Sequence, residues 1–216
     1  MGRRALRKID PTLDLTKHLR TFEQLPQPWD AAAIFGRAAP LVVEVGSGKG
    51  LFLRSAAAAA PEMNFLGIEI VAKYAKFSAA ALLKRNLPNA VMVAGDGMRI
   101  FNELLPESSL EAVHVYFPDP WWKKRHRKRR VMNEGFLKNV ERTLKPGCSL
   151  HFWTDVEEYF TTTLVLIKSC TALIGPLEVP EKAPEHDLDY RTHFERRMRQ
   201  HEEAVYRSEF KKLENG

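Results

Sequence analysis

The stretch that most constrains the fold is a short apolar run that ends in a glycine-rich loop. Leu41–Val45 is followed by residues 46–50, which read Gly-Ser-Gly-Lys-Gly, and then by residues 51–60, whose composition favours a helix. A strand, a glycine loop and a helix in this order open the doubly wound sheets that bind ligands at the carboxyl ends of their strands. The sequence therefore predicts an α/β fold with a ligand site at this loop.

Strand-like and helix-like segments alternate along the rest of the chain, which predicts a mainly parallel sheet with helices on both faces. The predicted helices are residues 51–60, 72–86, 98–105, 133–144 and 156–174. The predicted strands are residues 41–45, 64–70, 90–94, 112–117, 149–153, 177–180 and 204–210. We thus expect seven strands, of which the last two form an antiparallel hairpin at one edge of the sheet.

The first 36 residues differ from the rest in being polar and punctuated by Pro11, Pro26 and Pro28. This composition predicts an N-terminal arm or lid over residues 1–36, with one short helix near residues 15–25. The remaining residues, 37–216, have the length and apolar content of one well-buried domain.

Acidic residues lie at the predicted carboxyl ends of the first three strands. Glu44 precedes the glycine loop, where a carboxylate repels a pyrophosphate and attracts the cationic methionine part of S-adenosylmethionine (SAM). Glu69 ends the second strand, where an acid accepts hydrogen bonds from ribose hydroxyls. Asp96 follows the third strand, within reach of an adenine amino group. With Gly46 and Gly48, these acids predict a SAM site.

Two alternatives compete with this prediction. Each acid taken singly is also compatible with a solvated turn. A dehydrogenase is the second alternative, but Leu51 departs from the dinucleotide fingerprint G-x-G-x-x-G and Glu44 would repel the cofactor. The coincidence of acids on three successive strands therefore favours a methyl donor.

A basic tract follows the fourth predicted strand. Pro118 and Pro120 bracket Asp119, two tryptophans follow, and seven of the eight residues 123–130 are Lys or Arg. Cations beside flat aromatic surfaces are typical of proteins that hold a phosphate backbone and unstacked bases. A solvated basic loop or a localisation signal is the alternative, but a localisation signal has no use for a rigidly held aspartate. We expect phosphate contacts from Lys124, Arg125, Arg127, Lys128, Arg129 and Arg130.

Composition narrows the remaining possibilities. The formal net charge of +6 favours a polyanionic partner, and no apolar run approaches the ~20 residues that a membrane span needs. The basic start of the chain lacks the apolar core of a secretory signal, and the two cysteines lack metal-site spacing, so a cytoplasmic protein is expected. The sequence leaves open whether the protein is a monomer or a homodimer.

With these residues in view, the chain resembles the bacterial tRNA (guanine-N7)-methyltransferases. The resemblance spans roughly residues 41–210, and its most specific parts are the Phe-Pro-Asp-Pro-Trp segment at 117–121 and the Thr-His-Phe-Glu segment at 192–195. It implies a Rossmann-like class I methyltransferase fold, SAM as methyl donor, tRNA as substrate and no metal. It also implies cofactor contacts from Asp119 besides the three acids named above. Contacts with the guanosine or its surroundings are implied for Lys123, Asp155, Thr192, His193, Phe194 and Glu195.

Methylation of guanine N7 needs no base, because that nitrogen carries a free lone pair. The chemistry instead needs alignment and a carboxylate near the ring, which becomes positively charged. Asp119 is our candidate catalytic residue and Asp155 the second, whereas His126 is one more polar member of the tract. A methyltransferase acting on another RNA or on protein, and a non-catalytic RNA-binding protein, remain alternatives.

Overall fold

A computed structural model describes Leu6, residues 8–179, Thr192, Glu195, Met198, His201 and residues 203–214. Its strands are Leu19–Thr21 (β1), Leu41–Val45 (β2), Asn64–Glu69 (β3), Ala90–Ala94 (β4), Leu110–Tyr116 (β5), Leu144–Thr154 (β6), Ile174–Leu177 (β7) and Tyr206–Lys211 (β8). They form one sheet in the order β1-β4-β3-β2-β5-β6-β8-β7. Strands β1 to β6 pair in parallel, and β8 runs antiparallel to both β6 and β7. The predicted α/β class with an antiparallel edge hairpin is therefore confirmed.

Helices cover both faces of this sheet, as predicted. They are Ala31–Phe35 (α1), Leu51–Ala59 (α2), Ala72–Lys84 (α3), Gly97–Glu103 (α4), Glu134–Thr143 (α5) and Glu157–Cys170 (α6). Neighbouring residues of β2 point to opposite faces, so Val42 packs in the cluster with Leu53 and Leu82, and Val43 in the cluster with Phe101 and Phe136. Strand β2 is buried along its whole length, as expected of a central parallel strand.

The predicted helix near residues 15–25 is wrong. Residues 19–21 form β1, which pairs in parallel with β4, and a 3-10 helix, Phe22–Gln24, follows. Leu15, Phe22 and Leu25 are buried at spacings that imitate a helix. The open edge of β4 supplies hydrogen bonds that no local pattern reveals, and the sheet gains an eighth strand beyond the seven expected.

The edge hairpin begins earlier than the sequence indicated. Helix α6 ends at Cys170 rather than at residue 174, and the chain returns as β7 over Ile174–Leu177 instead of residues 177–180. The apolar residues of this stretch suit either element, so their pattern did not fix the boundary. No helix in the described part of the chain is long and apolar enough to cross a membrane.

Candidate active site at the carboxyl edge of the sheet

Five neighbouring strands each bring one acidic residue to the same edge of the sheet. In spatial order β4, β3, β2, β5 and β6 these are Asp96, Glu69, Glu44, Asp119 and Asp155. Glu44 and Glu69 lie within their strands, whereas the other three follow the strand ends by one to three residues. The acids that the sequence assigned to cofactor and guanosine thus share one rim.

The glycine loop is held against the end of β3. The N–H groups of Gly46 and Ser47 both donate to the carbonyl oxygen of Ile68, at 2.8 and 3.1 Å. A Cβ on Gly67 would lie 2.7 Å from the Ser47 Oγ atom and 2.6 Å from the Met92 Sδ atom, so glycine at this position leaves room for both side chains. Gly46 and Gly48 have φ values of 82° and 52°, which glycine adopts at little cost.

Glu69 ties this loop to the start of α3. One carboxylate oxygen accepts from the Gly48 N–H at 2.8 Å, and the other accepts from the Val71 N–H at the same distance. Each oxygen keeps a further lone pair for a ligand hydroxyl. The carboxylate is therefore positioned by the backbone while it can still accept from a ribose.

Glu44 is buried and has one unpaired oxygen. Its side chain is almost fully enclosed, and among the described residues its Oε2 atom has no hydrogen-bond partner. Burial raises the pKa of this carboxyl from 4.5 to about 8, and the charge of Glu69 acts in the same direction. A buried carboxyl without a full set of partners is costly unless a cation or donor reaches it, so the site suits a positively charged ligand group.

Asp96 has a structural contact as well as an open side. It caps α4, because its Oδ1 atom accepts from the Met98 N–H at 2.9 Å. It also borders a groove of about 460 Å³ between α4 and α5, together with Asn133 and Phe136. The exposed carboxylate can therefore serve a ligand without giving up the cap.

The turn that carries Asp119 is strained. Phe117 and Trp121, which flank Pro118-Asp119-Pro120, have φ values of 49° and 47°, a region that bulky residues avoid. Each such residue costs about 1–3 kcal/mol and persists only where its surroundings enforce it. The Phe117 N–H donates to the Trp153 carbonyl at 2.8 Å, which fixes the entry of the turn to β6. Asp119 itself is exposed at the rim.

The basic tract forms a 3-10 helix, Lys124–Arg129, whose cations are mostly exposed. It folds back on Trp121, with the His126 ring edge-on at 5.9 Å between centroids and the Arg129 guanidinium 5.0 Å from the indole. Trp122 is 69% exposed. Trp121 therefore organises the tract, and Trp122 is the ring presented to solvent.

Arg130 differs from the other five predicted phosphate contacts because it is buried. Its Nε atom donates to the Pro120 carbonyl at 2.8 Å and its Nη2 atom to Glu158 at 2.9 Å. The guanidinium lies 4.3 Å from the centroid of the Tyr159 ring. Exposed Arg127 also pairs with Glu158, at 3.1 Å, so this acid on α6 holds two members of the tract.

The Thr-His-Phe-Glu segment lies only partly within the described residues. The Thr192 Oγ1 atom accepts from the Glu195 N–H at 2.9 Å, and the buried Glu195 carboxylate lies 3.6 Å from Arg207 on β8. Arg207 in turn stacks on Trp153 near the end of β6, one residue before Thr154 and two before Asp155. His193 and Phe194 lie outside the described residues. Thr192 and Glu195 are thus brought to the rim that carries Asp155.

Sequence reasoning assigned no role to three side chains that organise this rim: Glu158, Arg207 and Tyr159, the last of which was noted only as part of a matching motif. The sequence did carry a signal for the burial of Arg130 and for the face of the sheet on which Arg207 lies. Arg130 is directly followed by the apolar pair Val131-Met132, which indicates the buried end of the tract, and alternation along β8 places Arg207 on the face of Glu209. In the described part of the chain, no group of three or more His, Cys, Asp or Glu side chains could hold a metal ion.

The fold is that of the class I methyltransferases. A 16S rRNA (adenine(1408)-N(1))-methyltransferase from Catenulisporales acidiphilia, solved with cosubstrate SAM, superposes with a TM-score of 0.59 at 18% identity, covering 85% of this chain and 90% of that one. An aminoglycoside resistance methyltransferase gives a TM-score of 0.55 at 19% identity, over 83% and 90% of the two chains. At such identities the likeness concerns the fold alone.

Sequence relatives narrow this class. A family model described as a putative methyltransferase matches residues 38–208. A tRNA (guanine-N(7)-)-methyltransferase from Rhodopirellula baltica is 48% identical over 98% of this chain and 80% of its own length. One from Yersinia enterocolitica is 35% identical, over 81% of this chain and 73% of its own. The chain belongs to the tRNA (guanine-N7)-methyltransferase family.

Proposed function

We propose that this protein transfers a methyl group from SAM to N7 of a guanine in the variable loop of tRNA. The observation that carries the proposal is the shared rim, where the acids of the glycine-loop side and the Asp119 turn with its cationic tract adjoin. The sequence relatives, which bear the name of this activity, support the choice of substrate and atom.

The residues of the glycine-loop side fit SAM. The unpaired buried oxygen of Glu44 suits the ammonium group of the methionine part, and the oxygens of Glu69 suit the ribose hydroxyls. Asp96 borders open space where the adenine amino group would be reached. When bound, SAM supplies an electrophilic methyl group on its sulfonium. Gly46 and Gly48 leave room for it because neither carries a side chain.

Catalysis by this chain then consists of alignment and charge stabilisation. Guanine N7 attacks without losing a proton, so no general base is assigned. Holding the acceptor nitrogen in line with the methyl group supplies up to about 7–11 kcal/mol in favourable cases. The Asp119 carboxylate stabilises the positive charge that develops on the guanine ring, and Asp155 adds a second negative charge after the neighbouring strand β6. Lys123, Asp155, Thr192 and Glu195, with His193 and Phe194 of the same segment, are assigned to the guanosine or its surroundings.

The exposed cations of the tract bind the phosphate backbone and so determine affinity rather than the choice of base. These are Lys124, Arg125, Arg127, Lys128 and Arg129. We also propose that residues 37–216 form one methyltransferase domain, and that residues 1–36 are an arm of which β1 joins its sheet. A tRNA substrate makes the cytoplasm the expected location.

The proposal is tested with labelled SAM and unmodified tRNA transcripts, followed by borohydride–aniline cleavage, which breaks RNA at N7-methylguanosine. Cleavage at one variable-loop guanosine is expected. Label without such cleavage would keep the donor but refute the N7 target, and would favour methylation of another RNA atom. No incorporation, with SAM binding intact, would refute tRNA as the acceptor.

A further inference from the structure

We infer that Arg130 is a positioning residue that holds the Asp119 turn in its strained, productive form, and that it is not one of the phosphate contacts of the tract. The inference rests on the proposed function for its catalytic readout. It separates one arginine from a run of cations that the sequence presents as uniform.

The first argument is the position of the Arg130 side chain. It is only 10% exposed, whereas that of Arg127, three residues earlier, is 48% exposed. Two of its nitrogen atoms are already engaged, by the Pro120 carbonyl and by Glu158, and the guanidinium plane covers Tyr159. A phosphate could reach this group only by dismantling contacts inside the protein.

The second argument concerns what these contacts join. Pro120 immediately follows Asp119, and Glu158 lies in the first turn of α6, three residues after Asp155. Arg130 therefore connects the turn that carries one candidate carboxylate to the helix that follows the other. Tyr159 adds a further contact to the same helix, α6. Its hydroxyl accepts from the Met132 N–H at 3.3 Å, which holds the residues that follow the tract against α6.

The third argument is the strain in the turn. Phe117 and Trp121 adopt positive φ values, and a turn of this kind relaxes unless something outside it prevents the change. The hydrogen bond from Phe117 to Trp153 secures only the entry. Arg130 secures the exit side at Pro120, so the two bonds bracket Asp119 and limit where its carboxylate can point.

Glu158 adds a consequence for tRNA binding. It pairs with exposed Arg127 through one carboxylate oxygen and with buried Arg130 through the other. A phosphate that draws Arg127 away leaves Glu158 to Arg130 alone. Binding of the tRNA phosphate backbone and positioning of the Asp119 turn can therefore proceed together, because Arg127 serves the first and Arg130 the second.

The test compares Arg130→Lys with Arg142→Lys. Lysine keeps the charge but cannot bond Pro120 and Glu158 at once while stacking on Tyr159. Arg142 is a matched control, since its guanidinium joins α5 to the carbonyls of Leu105 and Phe101 away from the rim. We expect the single-turnover methylation rate at saturating tRNA and SAM to fall about tenfold or more in Arg130→Lys, with tRNA affinity and its salt dependence unchanged. Arg142→Lys should keep the saturated rate.

Two further readouts keep the inference falsifiable. Hydrogen exchange of the amides of residues 117–123 should accelerate in Arg130→Lys and not in Arg142→Lys, whether or not tRNA is methylated. Glu158→Gln should also slow the saturated rate, yet it should bind tRNA at least as tightly as wild type, because it removes a negative charge beside the tract.

Three results would overturn the inference. Weaker tRNA binding with a shallower salt dependence and an unchanged saturated rate would make Arg130 a phosphate contact. A rate loss in Arg130→Lys that only follows the folded fraction, and that Arg142→Lys shows to the same extent, would make its role merely structural. Unchanged hydrogen exchange of residues 117–123 in Arg130→Lys would show that Arg130 does not hold the turn. If wild-type protein methylated no guanine N7, the proposed function would fail, while the exchange comparison would still decide the role of Arg130.

Discussion

The glycine loop and the Asp119 turn present carboxylates at the same rim but are built in opposite ways. The loop uses glycine wherever φ is positive, and backbone N–H groups of residues 46–48 bind it to the end of the adjacent β3. The turn places Phe117 and Trp121 at positive φ and depends on groups outside it, the Trp153 carbonyl and the Arg130 side chain. The comparison teaches that the cofactor side avoids strain by using glycine, whereas the substrate side keeps strained residues in place through groups outside the turn. Four predictions test this contrast.

The largest effect is expected from Asp119→Asn. The variant loses the charge near the guanine ring, so its saturated methylation rate should fall about 10²–10³-fold. Its melting temperature should stay close to that of wild type, because Asp119 is exposed. Single-turnover assays and thermal melts check both points, with Asp14→Asn, an exposed aspartate in the N-terminal lead-in, as control. Unaltered turnover would contradict the assignment.

On the glycine-loop side, Gly50→Ala should damage stability. A Cβ there would lie 1.8 Å from the Ser78 Oγ atom, and φ is +67°, so we expect a loss of about 2–5 kcal/mol in unfolding free energy. Gly36→Ala is the matched control, since its φ is +71° and nothing lies within 4 Å of the added carbon. It should lose only about 1–2 kcal/mol. Urea denaturation measures both, and equal losses would contradict close packing of the loop on α3.

Glu44 makes the stability of the free protein depend on pH. Because its pKa is raised to about 8, the folded state binds the proton more tightly than the unfolded state, and stability is lost as pH rises from about 4.5 to about 8. Glu44→Gln should remove this loss and be more stable than wild type at pH 8.5, by up to about 4–5 kcal/mol. Denaturation curves across pH 5–9 provide the measurement. Parallel profiles for the two proteins would show that Glu44 is not the group responsible.

The smallest effect is expected from the exposed tract. Replacing Lys124, Arg127 and Arg129 by alanine should flatten the plot of log K for tRNA against log salt by about two to three units of slope. The control removes Lys84, Arg85 and Lys168, which lie at helix ends remote from the rim. It should leave the slope near the wild-type value. A slope unchanged in the first variant would exclude the tract as the docking surface.

Much of the fold and rim was predictable because the determinants are local. The apolar runs of β2 to β6 end where the acids begin, so Glu44, Glu69 and Asp96 could be assigned to one edge before their contacts were known. The strand β1 could not be predicted in this way, because its three residues form a strand only by pairing with the free edge of β4. The burial of Arg130 depends on Glu158, 28 residues away, and that of Glu195 on Arg207. Pairings of this kind leave little trace in a single sequence.

The alternation of strands and acids has a consequence for how the protein can change. Neighbouring strands are spaced about 4.8 Å apart, so the five strands from β4 to β6 span about 19 Å, and the acids are distributed along this width. Residues inserted in the loops at the amino ends of the strands do not change the spacing of the acids. One residue inserted within β2 would turn Glu44 to the opposite face. Length variation should therefore be tolerated in the loops at the amino ends of the strands and excluded from β2 itself.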